Sequence, residues 1–227
     1  MKSRVIYHGS KVVVLKPIYD YKFYNPDLDY GRGFYCTEDY LAATEWSCKD
    51  KLPGIVNTYC INEDDLKVLD ITKPQYSILN WMAILIFYRS SFLTKKSIYQ
   101  RELAFLNKYL VDISKYDVVI GYRADDAYYA FPKEFLNNNI TLERLEKIYK
   151  LGDLGTQYVL VSRKAFDRLT FIEAKESGLD FLDAYSKRIN HAYAYFKEIL
   201  LEERYAEGTR MRNLLKDDRW IFNWTIF

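Results

Sequence analysis

The chain has 227 residues, of which 49% are apolar and 28% charged, with 33 basic side chains against 31 acidic ones and a formal net charge of +2. That length suits one domain with an elaboration, and the apolar share supplies a substantial core. The near-balanced charge excludes a global electrostatic footprint for nucleic acid, leaving only a local basic patch open.

In chain order, Arg4 to Tyr7 reads as a short strand running into the turn Tyr7-His8-Gly9-Ser10, and Val12 to Leu15 is a second apolar run closed by Lys16-Pro17. Residues 18 to 30 carry tyrosines, Asn25-Pro26 and three aspartates, the composition of a loop. The stretch Tyr30-Gly31-Arg32-Gly33-Phe34-Tyr35-Cys36-Thr37 then joins a glycine turn to a strand end. Thr37, followed by Glu38 and Asp39, is expected to cap a helix through Leu41, Ala42, Ala43 and Trp46.

Strands are expected at Ile55 to Ile61, Leu66 to Ile71, Tyr116 to Tyr122, Gln157 to Val161 and Thr170 to Ile172. Helices are expected at Ile78 to Arg89, Ser97 to Tyr109, Thr141 (as cap) to Lys150, and Lys164 to Leu169. Past residue 173, Leu182, Tyr185, Ile189, Ala192, Phe196 and Ile199 follow alternating three- and four-residue steps, one apolar face of a long helix. That face either packs on the domain or forms a seam for a partner protein. The division expected is therefore 1–173 for the main domain and 174–227 for a helical C-terminal extension.

Three cysteines (Cys36, Cys48, Cys60) without a Cys-x-x-Cys, and only His8 and His191 beside them, argue against a metal site. Lys2 and Arg4 are followed by no long apolar core, so no signal peptide is expected, and the apolar run Ile78 to Tyr88 is too short to span a bilayer. The expectation is a reduced, cytoplasmic protein with no membrane contact.

Four motifs in order resemble the ADP-ribosyltransferase fold of the diphtheria-toxin and poly(ADP-ribose) polymerase type. They are His8-Gly9-Ser10, Gly31-Arg32-Gly33-Phe34-Tyr35, Trp46 on the following helix, and Gln157-Tyr158-Val159-Leu160. More closely, the chain is similar to an uncharacterised bacterial group of such domains encoded beside small partner proteins, in toxin–antitoxin-like pairs. The resemblance spans residues 4 to about 172. It implies an α+β fold, an ADP-ribosyltransferase-like split antiparallel β-sandwich with flanking helices and a C-terminal helical extension. It also implies a cytoplasmic, NAD-dependent mono-ADP-ribosyltransferase with an unidentified macromolecular acceptor and a small antitoxin-like protein partner.

What the resemblance implies for single residues can be set beside their chemistry. His8 would hydrogen-bond a ribose hydroxyl through a neutral imidazole, and Gly9 would let backbone approach the nicotinamide carboxamide. Tyr35 and Trp46 would hold the nicotinamide ring between two aromatic faces. Arg32 would meet the diphosphate, with Ser10, Gly33 and Thr37 completing the NAD contacts. Gln157 stands where the strongly active transferases carry a glutamate. It keeps the hydrogen bond to the reacting ribose without the full charge, leaving mono-ADP-ribosylation, slow NAD hydrolysis, or binding without turnover. Asp125 and Asp126, after a buried strand, are candidates for a replacement carboxylate. Two further readings stay open: a catalytically idle NAD or ADP-ribose module acting through protein partners, and nucleic-acid binding through Arg210, Arg212, Lys216 and Arg219.

Overall fold

The computed structural model describes residues 2–89, 96–124, 128–151 and 155–216, which form a mixed α+β fold of two sheets and eight α-helices. The first sheet is antiparallel, in the order β1 (Ser3–Ser10), β3 (Ile55–Asn62), β7 (Leu169–Glu176). The second has the order β2 (Phe34–Cys36), β6 (Thr156–Leu160), β5 (Val118–Tyr122), β4 (Val68–Asp70). An antiparallel pair of sheets was the expectation, and β4 departs from it by running parallel to β5. Between these two strands the chain makes helices α2 (Ile78–Tyr88) and α3 (Gln100–Asn107), the kind of crossover that parallel neighbours require.

The second sheet is a middle layer. Val118 and Ile120 of β5 and Tyr158 and Leu160 of β6 face the first sheet, meeting Ile6, Tyr59 and Ile61, while Val119 and Val159 turn to the helices. Strands covered on both faces need no polar alternation, which is why β5 and the inner part of β6, Tyr158 to Leu160, read as apolar runs. Helix α2 is buried along most of its length, and the Trp81 indole donates to the Tyr122 carbonyl at 2.9 Å.

Helix α1 (Tyr40–Ser47) starts later than its expected cap. Asp39 is the N-cap, its carboxylate accepting from the Leu41 and Ala42 amides at 2.8 and 3.2 Å. Thr37 cannot take that role because its backbone is still paired with Tyr7, and its hydroxyl accepts from the Asp39 amide instead. The helix α4 (Ala130–Leu136) was not anticipated; its Pro132 sits in the first turn, where a missing N–H costs nothing. In α5 (Leu142–Leu151), Thr141 caps as expected, accepting from the Arg144 amide at 3.2 Å. A short α6 (Arg163–Asp167) leads into β7, which continues to Glu176.

The tail helix α7 (Ala184–Glu203) packs on the domain. Ala192 and Ile199 are fully buried in the helical core, Ile189 and Phe196 pack at its edge, and Phe196 meets Phe131 edge-on at 5.0 Å. The stripe is therefore core rather than an open seam. The last described element, α8 (Met211–Lys216), adds a buried Met211. No helix among the described residues is long and apolar enough to cross a membrane.

Candidate functional site

A cleft of about 830 Å³ opens where β1 and β2 end, bounded by α1, the start of β6, the end of β5 and the segment 12–29. His8, Gly9, Gly33, Tyr35, Thr37, Trp46 and Gln157, drawn from four separate parts of the sequence, all line it.

On β1, Ile6 and His8 share one face by the two-residue period. Ile6 fills the core between the sheets, and His8 stands at the cleft against the Phe34 ring, 4.4 Å between centroids. The His8 Nδ1 lies 2.7 Å from the Tyr35 carbonyl oxygen. A carbonyl only accepts, so Nδ1 carries the proton and the neutral ring keeps Nε2 as an acceptor. Burial lowers the His8 pKa below its ordinary 6.5, against the raising effect of the Tyr35 hydrogen bond. The ring is accordingly neutral at pH 7.

An unfolded chain takes up the His8 proton near 6.5, before the folded protein does, so this residue's contribution to stability is complete above 6.5 and erodes as pH falls below it. NMR titration of the two histidine ring signals, assigned with a His191→Gln variant, is expected to give His8 a midpoint below 6.5. A midpoint at or above that value would contradict the buried, neutral ring.

Tyr35 lines the cleft while its hydroxyl closes the glycine turn, accepting from the Tyr30 amide at 3.0 Å and donating to the Gly31 carbonyl at 2.6 Å. Burial pushes its phenol well above 10, so the group stays protonated. Gly31 takes a φ of +68°, and a Cβ there would also strike the Tyr88 ring at 2.4 Å. Gly9, which lines the cleft, also answers a packing demand. A Cβ on it would lie 2.1 Å from the Ala43 carbonyl oxygen, so the missing side chain lets α1 seat against β1.

Trp46 reaches the cleft from α1 and is 37% exposed, but its immediate neighbours are cations. The Arg123 guanidinium lies 4.9 Å and the Lys49 ammonium 4.7 Å from its ring centroid, with Tyr185 edge-on at 5.9 Å. On β6, Gln157 pairs with Gly121, and its side-chain Oε1 is buried without a hydrogen-bond partner among the described residues. Such an oxygen costs about 1–3 kcal/mol unless a donor reaches it.

Two expected contacts are placed elsewhere. Arg32 is exposed and does not line the cleft; the arginines that do are Arg89 and Arg123. Ser10 is absorbed by a local clip, donating to the Val12 carbonyl and accepting from Asn57, which also holds the Val14 amide through its own carbonyl oxygen. Asp125 and Asp126 lie outside the described residues.

The residues that sequence reading missed form a buried hub at the cleft floor. Asp29, 3% exposed, accepts from Arg89 at 2.7 Å and from the Ala124 amide at 2.9 Å. Arg89 also donates to the Ala124 carbonyl and stacks over Tyr129 at 3.5 Å. One signal was available: Arg89 closes a helix that is almost wholly apolar, a place where a charge demands a partner.

A family model for proteins of unknown function, DUF3990, matches residues 4–171, and the chain belongs to that family. The matched span includes every residue that lines the cleft. No curated protein and no solved structure matches the chain.

Proposed function

We propose that the protein is an NAD-dependent mono-ADP-ribosyltransferase, toxin-like in type, with its chemistry in this cleft. The observation that carries the reading is the convergence of His8, Tyr35, Trp46 and Gln157 on one cavity whose size falls in the range of about 300–1,000 Å³ usual for small-molecule sites. NAD supplies an ADP-ribosyl group and nicotinamide as the leaving group. His8 accepts a ribose hydroxyl through Nε2. Gln157 Oε1 accepts a hydroxyl from the reacting ribose, which satisfies an oxygen that otherwise has no donor. Tyr35 and Trp46 flank the ring that departs, and Arg123 supplies the positive charge that had been assigned to Arg32. The acceptor is a macromolecule, and a small antitoxin-like protein is the proposed partner.

The test is NAD labelled on its adenylate side, incubated with the protein and a bacterial lysate and then digested separately with protease, DNase and RNase. Label is expected to move to a macromolecule, and the digestion that releases it names the acceptor. The absence of both transfer and free nicotinamide would remove the transferase reading.

A second reading, an idle NAD-binding module, is favoured by one residue: Gln157 brings no charge to the oxocarbenium-like state. A fixed carboxylate there is worth several kcal/mol to the transition state. The change Gln157→Glu is therefore expected to raise kcat about tenfold or more if the reacting ribose sits beside this residue. No gain in kcat, with NAD binding retained, would place the chemistry elsewhere or leave the module idle.

A further inference from the structure

We propose that a second cleft, at the C-terminal end of α7, binds single-stranded nucleic acid; this does not rest on the ADP-ribosyltransferase reading. The cavity measures about 790 Å³ and gathers Lys197, Arg204, Tyr205 and Arg212 around its walls. All four are exposed, and all lie beyond the span matched by the family model. Helix α7 begins beside Trp46, through its Tyr185 contact, and at 1.5 Å per residue its 20 residues carry the second cleft about 30 Å along the helix axis.

The charge of the cleft is one-sided. Its single carboxylate, Glu203, is 2% exposed and already held by the Thr141 amide at 2.7 Å and Arg144 Nε at 2.9 Å. The neighbouring Glu202 is paired with Arg144 as well. Lys197, Arg204 and Arg212 have no ion pair among the described residues. Arg210, which the sequence places in the same basic group, is a structural strut: it is 8% exposed and donates to the carbonyls of Asn138, Glu203 and Ala206. The cations left over, lining one cleft, suit an anion.

Polyanions differ in what else they need, and Tyr205 decides between them. It is 84% exposed, with the Arg204 guanidinium 5.8 Å from its ring. A bare aromatic face beside a planar cation stacks an unpaired base, and three nearby cations follow the phosphates. An acidic peptide would use the cations and leave the ring without purpose. A duplex would keep its bases away from the ring.

Fluorescence anisotropy of the full chain with labelled single-stranded RNA and DNA of about 12 nucleotides tests this. Binding is expected with a slope of log affinity on log salt near −2, about 0.7 for each of three cations. Tyr205→Ala is expected to weaken binding about tenfold. Arg204→Ala with Arg212→Ala is expected to reduce the slope to about −0.7, while Lys187→Ala, on the same helix outside the cleft, changes neither. Because these side chains are exposed, their loss should leave the fold intact, which circular dichroism checks. The proposal is overturned by any of three results: Tyr205→Ala binding like the unaltered protein, duplex binding as tightly as single strands, or an acidic peptide competing as well as the oligonucleotide.

Discussion

Alanine in place of His8 is expected to lower NAD turnover by roughly 100-fold or more while the chain stays folded. The ring does two separable things. Its Nδ1 proton ties β1 to the Tyr35 carbonyl at 2.7 Å, and its Nε2 is left as the ring's acceptor on a residue that lines the cleft. Losing the first costs about 1 kcal/mol of stability, the ordinary net worth of one hydrogen bond. Losing the second removes the orientation of the ribose, and misplacement by an ångström is enough for a loss of that size. His8→Asn distinguishes the two, because its amide can still donate to Tyr35 while no acceptor remains at the Nε2 position. It should therefore fold like the unaltered protein and turn over like His8→Ala. Steady-state nicotinamide release and thermal melts on the three proteins decide it. Full activity in His8→Asn would mean that the ring serves the fold and nothing more.

How much of this was legible in the chain depended on the range of each interaction. The strand β5 announced itself, since Val-Val-Ile-Gly-Tyr has no polar face to turn to water, and β6 did so through Tyr158-Val159-Leu160. The α7 stripe was equally plain, and only its occupant, the domain's own core, was not legible in it. The cleft motifs were found because each is local: His8 sits on a strand end, Tyr35 follows a glycine turn and Trp46 lies on the next helix. What failed was reading a residue's purpose from its type. Gly9 lines the cleft, but its type alone did not reveal that its missing side chain also makes room for the Ala43 carbonyl. Thr37 and Asp39 are both good caps, and the choice fell to Asp39 because a long-range bridge to Tyr7 holds Thr37 in extended backbone. The parallel β4, the Asn57 clip and the Asp29–Arg89 pair depend on partners 40 or more residues away, for which a single sequence carries no periodic signal.

That last pair carries the other large effect: Asp29→Ala is expected to destabilise the protein by about 3–5 kcal/mol, roughly 6–20 °C in Tm. The carboxylate is 3% exposed and receives Arg89 Nη1 at 2.7 Å and the Ala124 amide at 2.9 Å, with the Tyr129 hydroxyl at 3.4 Å. Its removal takes the charged acceptor from a largely buried guanidinium and an amide at once, and that cost exceeds anything the pair contributed by attraction. The damage should spread to the cleft, because Ala124 follows Arg123 and the next residue after Asp29, Tyr30, anchors the end of β5 through its hydroxyl to the Tyr122 carbonyl at 2.8 Å. Asp29→Asn keeps an oxygen for the amide and loses the charge, so it is expected to fall between the two. Adding Arg89→Met to Asp29→Ala removes the cation that has lost its carboxylate and should recover part of the loss, giving a coupling of more than 1 kcal/mol in a double-mutant cycle. Chemical denaturation of the four proteins measures each corner. Strict additivity would show that Asp29 and Arg89 stabilise the floor of the cleft independently, contrary to the geometry of the hub.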